Sequence, residues 1–193
     1  MKKILLSTVL LSALVQAQAS TIQFDLLGKA GAGLLAGNEN GTVNGTPGSG
    51  GEVGAGILFD DVLNQLTLNI GWGVANGFAN LTGTTTGGHL HAPTASGGVA
   101  AFTQNAGVRI PLDGLAGWNT SASSGGFSGT VAIAPGDVAA LLNGQFYLNV
   151  HTSMNGGGEI RGNLVAVPEP SSLLLVAAGA GVLLMGRRFR RNS

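Results

Sequence analysis

Residues 145–164 read QFYLNVHTSMNGGGEIRGNL, and the alternation in this stretch decides the fold class. Side chains of an extended chain point alternately to opposite faces, so Phe146, Leu148 and Val150 share one face while Tyr147, Asn149 and His151 share the other. The apolar set marks the core side. After the glycines, Ile160 points inward, and Glu159 and Arg161 share the opposite face. That face is expected to meet solvent, where such a pair contributes only about 0 to 1 kcal/mol.

The same period recurs outward from this stretch. GILFDDVLNQLTLNIGW (56–72) predicts a hairpin with Ile57 and Phe59 on one strand, Leu66, Leu68 and Ile70 on the next, and turn formers between them. VRIPL and FSGTVAI add strands. APGDVAALLNG reads as a short helix or turn opened by Pro135 and closed by Gly144. NENGTVNGTPGSGGE (38–52) is a loop by composition. Asp60 and Asp61 are read as turn residues, Trp72 and Trp118 as core or loop anchors. With 34 glycines among 193 residues, short strands and tight turns are favoured over helices. The expected fold is all-β, an antiparallel β-sandwich, immunoglobulin-like or related, over residues 20–166.

Composition excludes several functions. The chain has no cysteine, which removes disulfides, thiolate metal sites and cysteine nucleophiles. Between Ala19 and Val167, eight acids face three bases, a balance of minus five that repels nucleic acid. There is no Gly-x-Ser-x-Gly elbow and no Gly-Lys-Ser phosphate loop. No catalytic residue is assigned.

The ends are addresses. MKKILLSTVLLSALVQAQAS carries Lys2 and Lys3, an apolar stretch, and the small residues Ala17 and Ala19, the pattern of a secretory signal peptide (1–19) cut by signal peptidase after Ala19. Residues 167–193 run from Pro168, Glu169 and Pro170 through an uncharged apolar segment to Arg187, Arg188, Arg190 and Arg191. As a helix, Ser171–Gly186 is about 24 Å long, short of the roughly 30 Å hydrocarbon core. It spans with help from snorkelling arginines, which hold the C-terminus on the cytoplasmic side. The two prolines keep residues 167–170 extended and accessible to a processing enzyme.

This order of elements resembles the PEP-CTERM sorting signal of Gram-negative bacteria. The resemblance implies anchoring in the inner membrane, processing by an exosortase, and delivery to the cell surface or extracellular matrix. The body resembles the CHRD (chordin-type) domain through LAGNEN (35–40), GAGILFDD (54–61), GHLHAP (88–93) and the block from Leu148 to Leu164. Glu39, Asn149, Glu159 and Arg161 carry that pattern. Asn40 and Gly41 stand where the family usually has paired prolines. The resemblance implies a β-sandwich without an established general catalytic activity, hence a structural or binding module for a polysaccharide or protein partner, with no cofactor.

One chemical alternative remains open. His89 and His91 lie two apart on one strand, so their side chains project side by side, and His151 on a neighbouring strand can complete a three-nitrogen site suited to copper or zinc and to redox use. Otherwise, these histidines hydrogen-bond loops on the polar face of the sheet.

Overall fold

The computed structural model describes residues 20–119 and 122–168. Its strands are β1 (Thr21–Gly28), β2 (Gly31–Ala32), β3 (Leu35–Ala36), β4 (Gly50–Asp60), β5 (Gln65–Trp72), β6 (Thr85–His91), β7 (Val108–Pro111), β8 (Gly125–Ala132), β9 (Tyr147–Thr152) and β10 (Ile160–Ala166). One short helix, α1 (Val138–Leu142), follows a 3₁₀ turn that begins at Pro135. All pairings are antiparallel, and the main path runs β7-β6-β9-β10-β1-β4-β5-β8, with β2 and β3 appended to β1 and β10.

The all-β antiparallel expectation holds, with one correction. The strands form a single hydrogen-bonded sheet that curls into a nearly closed barrel rather than two separate sheets. The segment after β7 bridges the seam. Leu112 N–H donates to Gly88 O on β6, Trp118 packs 5.1 Å from Trp72, and Asn119 N–H donates to Gly126 O on β8. Gly88 allows this closure, because a Cβ there would lie 1.8 Å from the Trp118 ring. Arg109 on β7 also reaches Asp137 beyond β8, at 2.6 Å.

The apolar interior follows the alternation. Phe146, Leu148 and Val150 are buried, as are Ile57 and Phe59 against Leu68 and Leu66 across the β4–β5 hairpin, with Ile160, Leu26 and Trp72 in the same cluster. Each such side chain contributes about 1.5 to 3 kcal/mol. Asp60 fixes the hairpin turn by accepting from the amides of Val62 and Leu63, and Asn64 takes the left-handed conformation that closes it. Gly144 ends α1 with φ 69°. The loop from residue 38 is shorter than expected, since Gly50–Glu52 already belong to β4.

A second correction concerns the other face of β9 and β10. It is not solvated. Tyr147, Asn149, Glu159, Arg161 and Asn163 are all buried. The loop after β3 and the segment between β6 and β7 fold over it: Glu39 N–H donates to Gly157 O, Gly48 N–H to the Glu159 carboxylate, and Ala106 N–H to the Tyr147 hydroxyl. The molecule therefore has two interiors, one apolar inside the barrel and one polar beneath these loops.

At the C-terminal end, Val167 extends the β1–β10 pairing through its amide to Gln23 O and is half-buried, while Pro168 is exposed. The signal segment with Ala17 and Ala19, the residues Glu169 and Pro170, the apolar segment and the arginine cluster lie outside the described residues. Among the described residues no helix is long and apolar enough to cross a membrane.

Candidate metal centre

Register brings the three histidines together. In the β6–β9 ladder, Gly87 faces His151, His89 faces Asn149 and His91 faces Tyr147, so His151 lies one diagonal step from His89 on the same face. The nearest ring nitrogens of His89, His91 and His151 all lie within 4.8 Å of one another. His89 Nδ1 and His151 Nε2 are 3.0 Å apart. The structure thus brings together the three histidines that the sequence singled out.

Which nitrogen faces inward is set by what holds the outward one. His91 Nδ1 donates to Ala106 O at 2.9 Å, and His151 Nδ1 donates to Gly156 O at 2.9 Å. In the neutral rings their Nε2 atoms are therefore left as acceptors, and that of His151 faces His89 Nδ1. His91 Nε2 is buried without a hydrogen-bond partner, and the residue is only 3% exposed. Burial lowers the pKa of both His91 and His151 and outweighs the opposing effect of the carbonyl contacts, so both rings are held neutral, the form that binds metal. A buried imidazole nitrogen with nothing to accept from is costly unless something electrophilic occupies the space beside it.

The surrounding layer holds this arrangement. The Tyr147 ring stacks on His91 at 4.8 Å with an interplanar angle of 14°. On its other side, the Arg161 guanidinium lies 3.5 Å from the ring centroid. The Tyr147 hydroxyl donates to Glu39, whose carboxylate also lies 3.2 Å from His91 Nδ1. Burial, reinforced by that carboxylate, pushes the tyrosine pKa up, so Tyr147 remains a neutral donor. Asn149 donates to Gly157 O at 3.2 Å and fixes the β9–β10 connection that supplies Gly156 O to His151. Gly158 makes this contact possible: it has φ 106°, and a Cβ would stand 2.0 Å from Asn149 Oδ1.

Glu159 and Arg161 were expected to meet each other at the surface. Instead they are 0% and 2% exposed and each bonds separately to the loops, with Arg161 Nε left without a partner. Glu159 accepts from the amides of Gly48 (3.0 Å), Thr82 (2.6 Å) and Gly83 (3.4 Å), from the Thr152 hydroxyl (2.8 Å) and from the Asn155 amide (3.3 Å). Burial alone would raise its pKa; these donors outweigh burial and hold the carboxyl below its ordinary range. Arg161 donates to Ala101 O (3.0 Å), Gln104 O (2.7 Å) and Asn105 Oδ1 (3.3 Å). Among the described residues no carboxylate lies within ion-pair distance of it. Glu39, Asn149, Glu159 and Arg161 thus hold loops over the polar face, and the histidines lie among them.

Sequence reasoning missed Tyr147, Thr152 and Asn155 as parts of this layer, and Asp113, whose Oδ2 lies 3.5 Å from His89 Nε2. The signal for Tyr147 was present in its strand: a supposedly solvated face made of Tyr, Asn and His carries no lysine or glutamate.

No curated protein and no solved structure matches the chain. Two family models do. The CHRD domain matches residues 32–164, most of the barrel and the whole polar layer, and the PEP-CTERM protein-sorting motif matches residues 166–191. The second match implies export, exosortase processing and sorting to the cell surface in Gram-negative bacteria. With more than half of its length covered by the first, the chain belongs to the CHRD-domain family and carries a PEP-CTERM sorting motif at its C-terminus.

Proposed function

We propose that this protein is a non-catalytic binding module, exported and processed by exosortase, whose CHRD domain holds a copper or zinc ion through His89, His91 and His151 at the cell surface or in the extracellular matrix. The observation that carries this reading is the buried, unpartnered Nε2 of His91, its ring fixed by the Ala106 carbonyl, close to the inward nitrogens of two further histidines. Three neutral imidazoles suit copper and zinc, and the general affinity order favours divalent copper over zinc. The absence of cysteine is consistent with a nitrogen site. Carbonyl acceptors on the outer nitrogens of two of the rings are the usual support for ligating histidines.

The purified full chain in detergent should take up one equivalent of copper or zinc, and His91→Ala should abolish stoichiometric uptake while leaving the barrel folded. A wild-type chain that stays folded and metal-free after exposure to either ion refutes the metal reading and leaves a purely structural module, bound to a polysaccharide or protein partner.

A further inference from the structure

The body of the chain is acidic, and its three basic residues are placed unequally. Arg109 pairs with Asp137, whereas Lys29 and Arg161 have no carboxylate within ion-pair distance among the described residues. Both line one cleft, about 570 Å³ in volume and within the range of roughly 300 to 1,000 Å³ usual for small-ligand sites. Strand register explains the meeting. Leu27 pairs with Asn163 in the β1–β10 ladder, and Lys29 and Arg161 each lie two residues further toward the same end of it. Lys29, in the turn between β1 and β2, is exposed, while Arg161 is 2% exposed and forms part of the cleft floor. Gly37 lets the loop after β3 lie against that floor: a Cβ there would stand 2.7 Å from Arg161 Cβ and 3.2 Å from Phe102 Cζ.

A guanidinium buried without a carboxylate carries a desolvation cost that only its neighbours offset, and Arg161 Nε has no acceptor. The Tyr147 and Phe102 rings, 3.5 Å and 5.4 Å from the guanidinium carbon, offset part of it. The remaining field reaches into the cleft, where the Lys29 ammonium adds to it. The one carboxylate in the lining, Glu39, accepts from the Tyr147 hydroxyl and lies 3.2 Å from His91 Nδ1, which leaves the cleft with one positive charge in excess. The rest of the lining is mixed: Asn38 and Asn105 carry amides, Thr42 and Thr103 hydroxyls, and Phe102 apolar surface. One ammonium surrounded by amides and hydroxyls suits a ligand with a single anionic group and several hydroxyls better than a phosphate, which favours forked arginine or clustered backbone donors. We propose that this cleft binds an acidic saccharide, its carboxylate held by Lys29 above the buried charge of Arg161 and its hydroxyls by the Asn and Thr side chains. None of the three histidines lines the cleft, so the site is separate from the metal centre.

The probe is a galacturonate oligosaccharide, titrated calorimetrically into the full chain in uncharged detergent after chelator treatment and dialysis, with its methyl ester as the neutral control. The acid should bind about tenfold more tightly than the ester and lose affinity as salt rises. Because Arg161 also holds loops, the exposed Lys29 carries the test. Lys29→Ala should weaken the acid about tenfold and leave the ester unchanged, and Lys29→Arg should retain the acid. Thr42→Trp, at an exposed position in the lining, should fill the cleft and abolish binding of both forms without moving the urea midpoint. Equal affinity for acid and ester, unchanged affinity in Lys29→Ala, or no binding of the acid overturns the proposal. So does a polyglutamate peptide or inorganic phosphate that binds as tightly as the oligosaccharide, which reassigns the cleft to acidic peptides or to a free anion. Metal uptake at the histidines is decided separately and alters none of these outcomes.

Discussion

The two interiors of this molecule are built on opposite faces of the same strands, yet they are held together differently. Inside the barrel, Phe24, Leu26, Phe59, Trp72, Phe146 and Leu148 bury apolar surface, and contacts there are non-directional and replaceable by volume. Beneath the loops, Tyr147, Asn149, Glu159 and Arg161 bury polar and charged groups, where each atom needs a partner in a definite direction. The first interior specifies the barrel; the second fixes the loops and, through them, the orientation of the histidines. Comparing them shows where stability and function separate: a fault in the apolar interior unfolds the protein, whereas a fault in the polar interior disturbs the loops and the site first.

The largest expected effect is on the apolar side. Trp72→Ala removes a fully buried ring that joins β5 to the seam-closing Trp118, and should cost about 3 to 5 kcal/mol in urea unfolding. A much smaller loss would mean that the barrel is not closed by this contact. Next comes Glu159→Gln. The amide nitrogen it introduces faces donors on either side, and each donor left without an acceptor costs about 1 to 3 kcal/mol. This effect has a pH signature that the apolar substitution lacks. The folded-state pKa of Glu159 is depressed below its ordinary 4.5, so its contribution is fully present at neutral pH and is lost as pH falls below about 4.5 through the folded value. The stability gap between wild type and Glu159→Gln should therefore narrow on acidification, while the gap for Trp72→Ala should not depend on Glu159. A Glu159→Gln gap that stays constant with pH would contradict the ionised, fully partnered carboxylate.

The apolar interior was legible in the sequence and the polar one was not, for a physical reason visible in a single strand. The alternation in QFYLNVHT assigns Phe146, Leu148 and Val150 to one side, but it is silent on what covers the other. The cover is a loop of Asn, Gly, Thr and Pro, whose composition carries no apolar period and which docks by backbone hydrogen bonds to Glu159 and Gly157. Glu159 and Arg161 thus looked like an exposed pair. The convergence of His89, His91 and His151 could be anticipated because it depends only on strand period and adjacency. The contacts that orient the His91 and His151 rings could not, because Ala106 O and Gly156 O come from loops whose path no local pattern records. Barrel closure through Gly88 and Trp118 was hidden likewise, since nothing in either residue's neighbourhood names the other.

The most direct test of the central claim is X-ray absorption at the metal edge of the copper- or zinc-loaded full chain. Convergence of three imidazoles predicts a first shell with three nitrogen neighbours at about 2.0 to 2.1 Å for zinc, with the outer-shell scattering of histidine rings. That scattering should drop by one ring in His151→Ala. A first shell of oxygen alone, or histidine scattering unaltered by that substitution, would contradict a metal centre at these three residues.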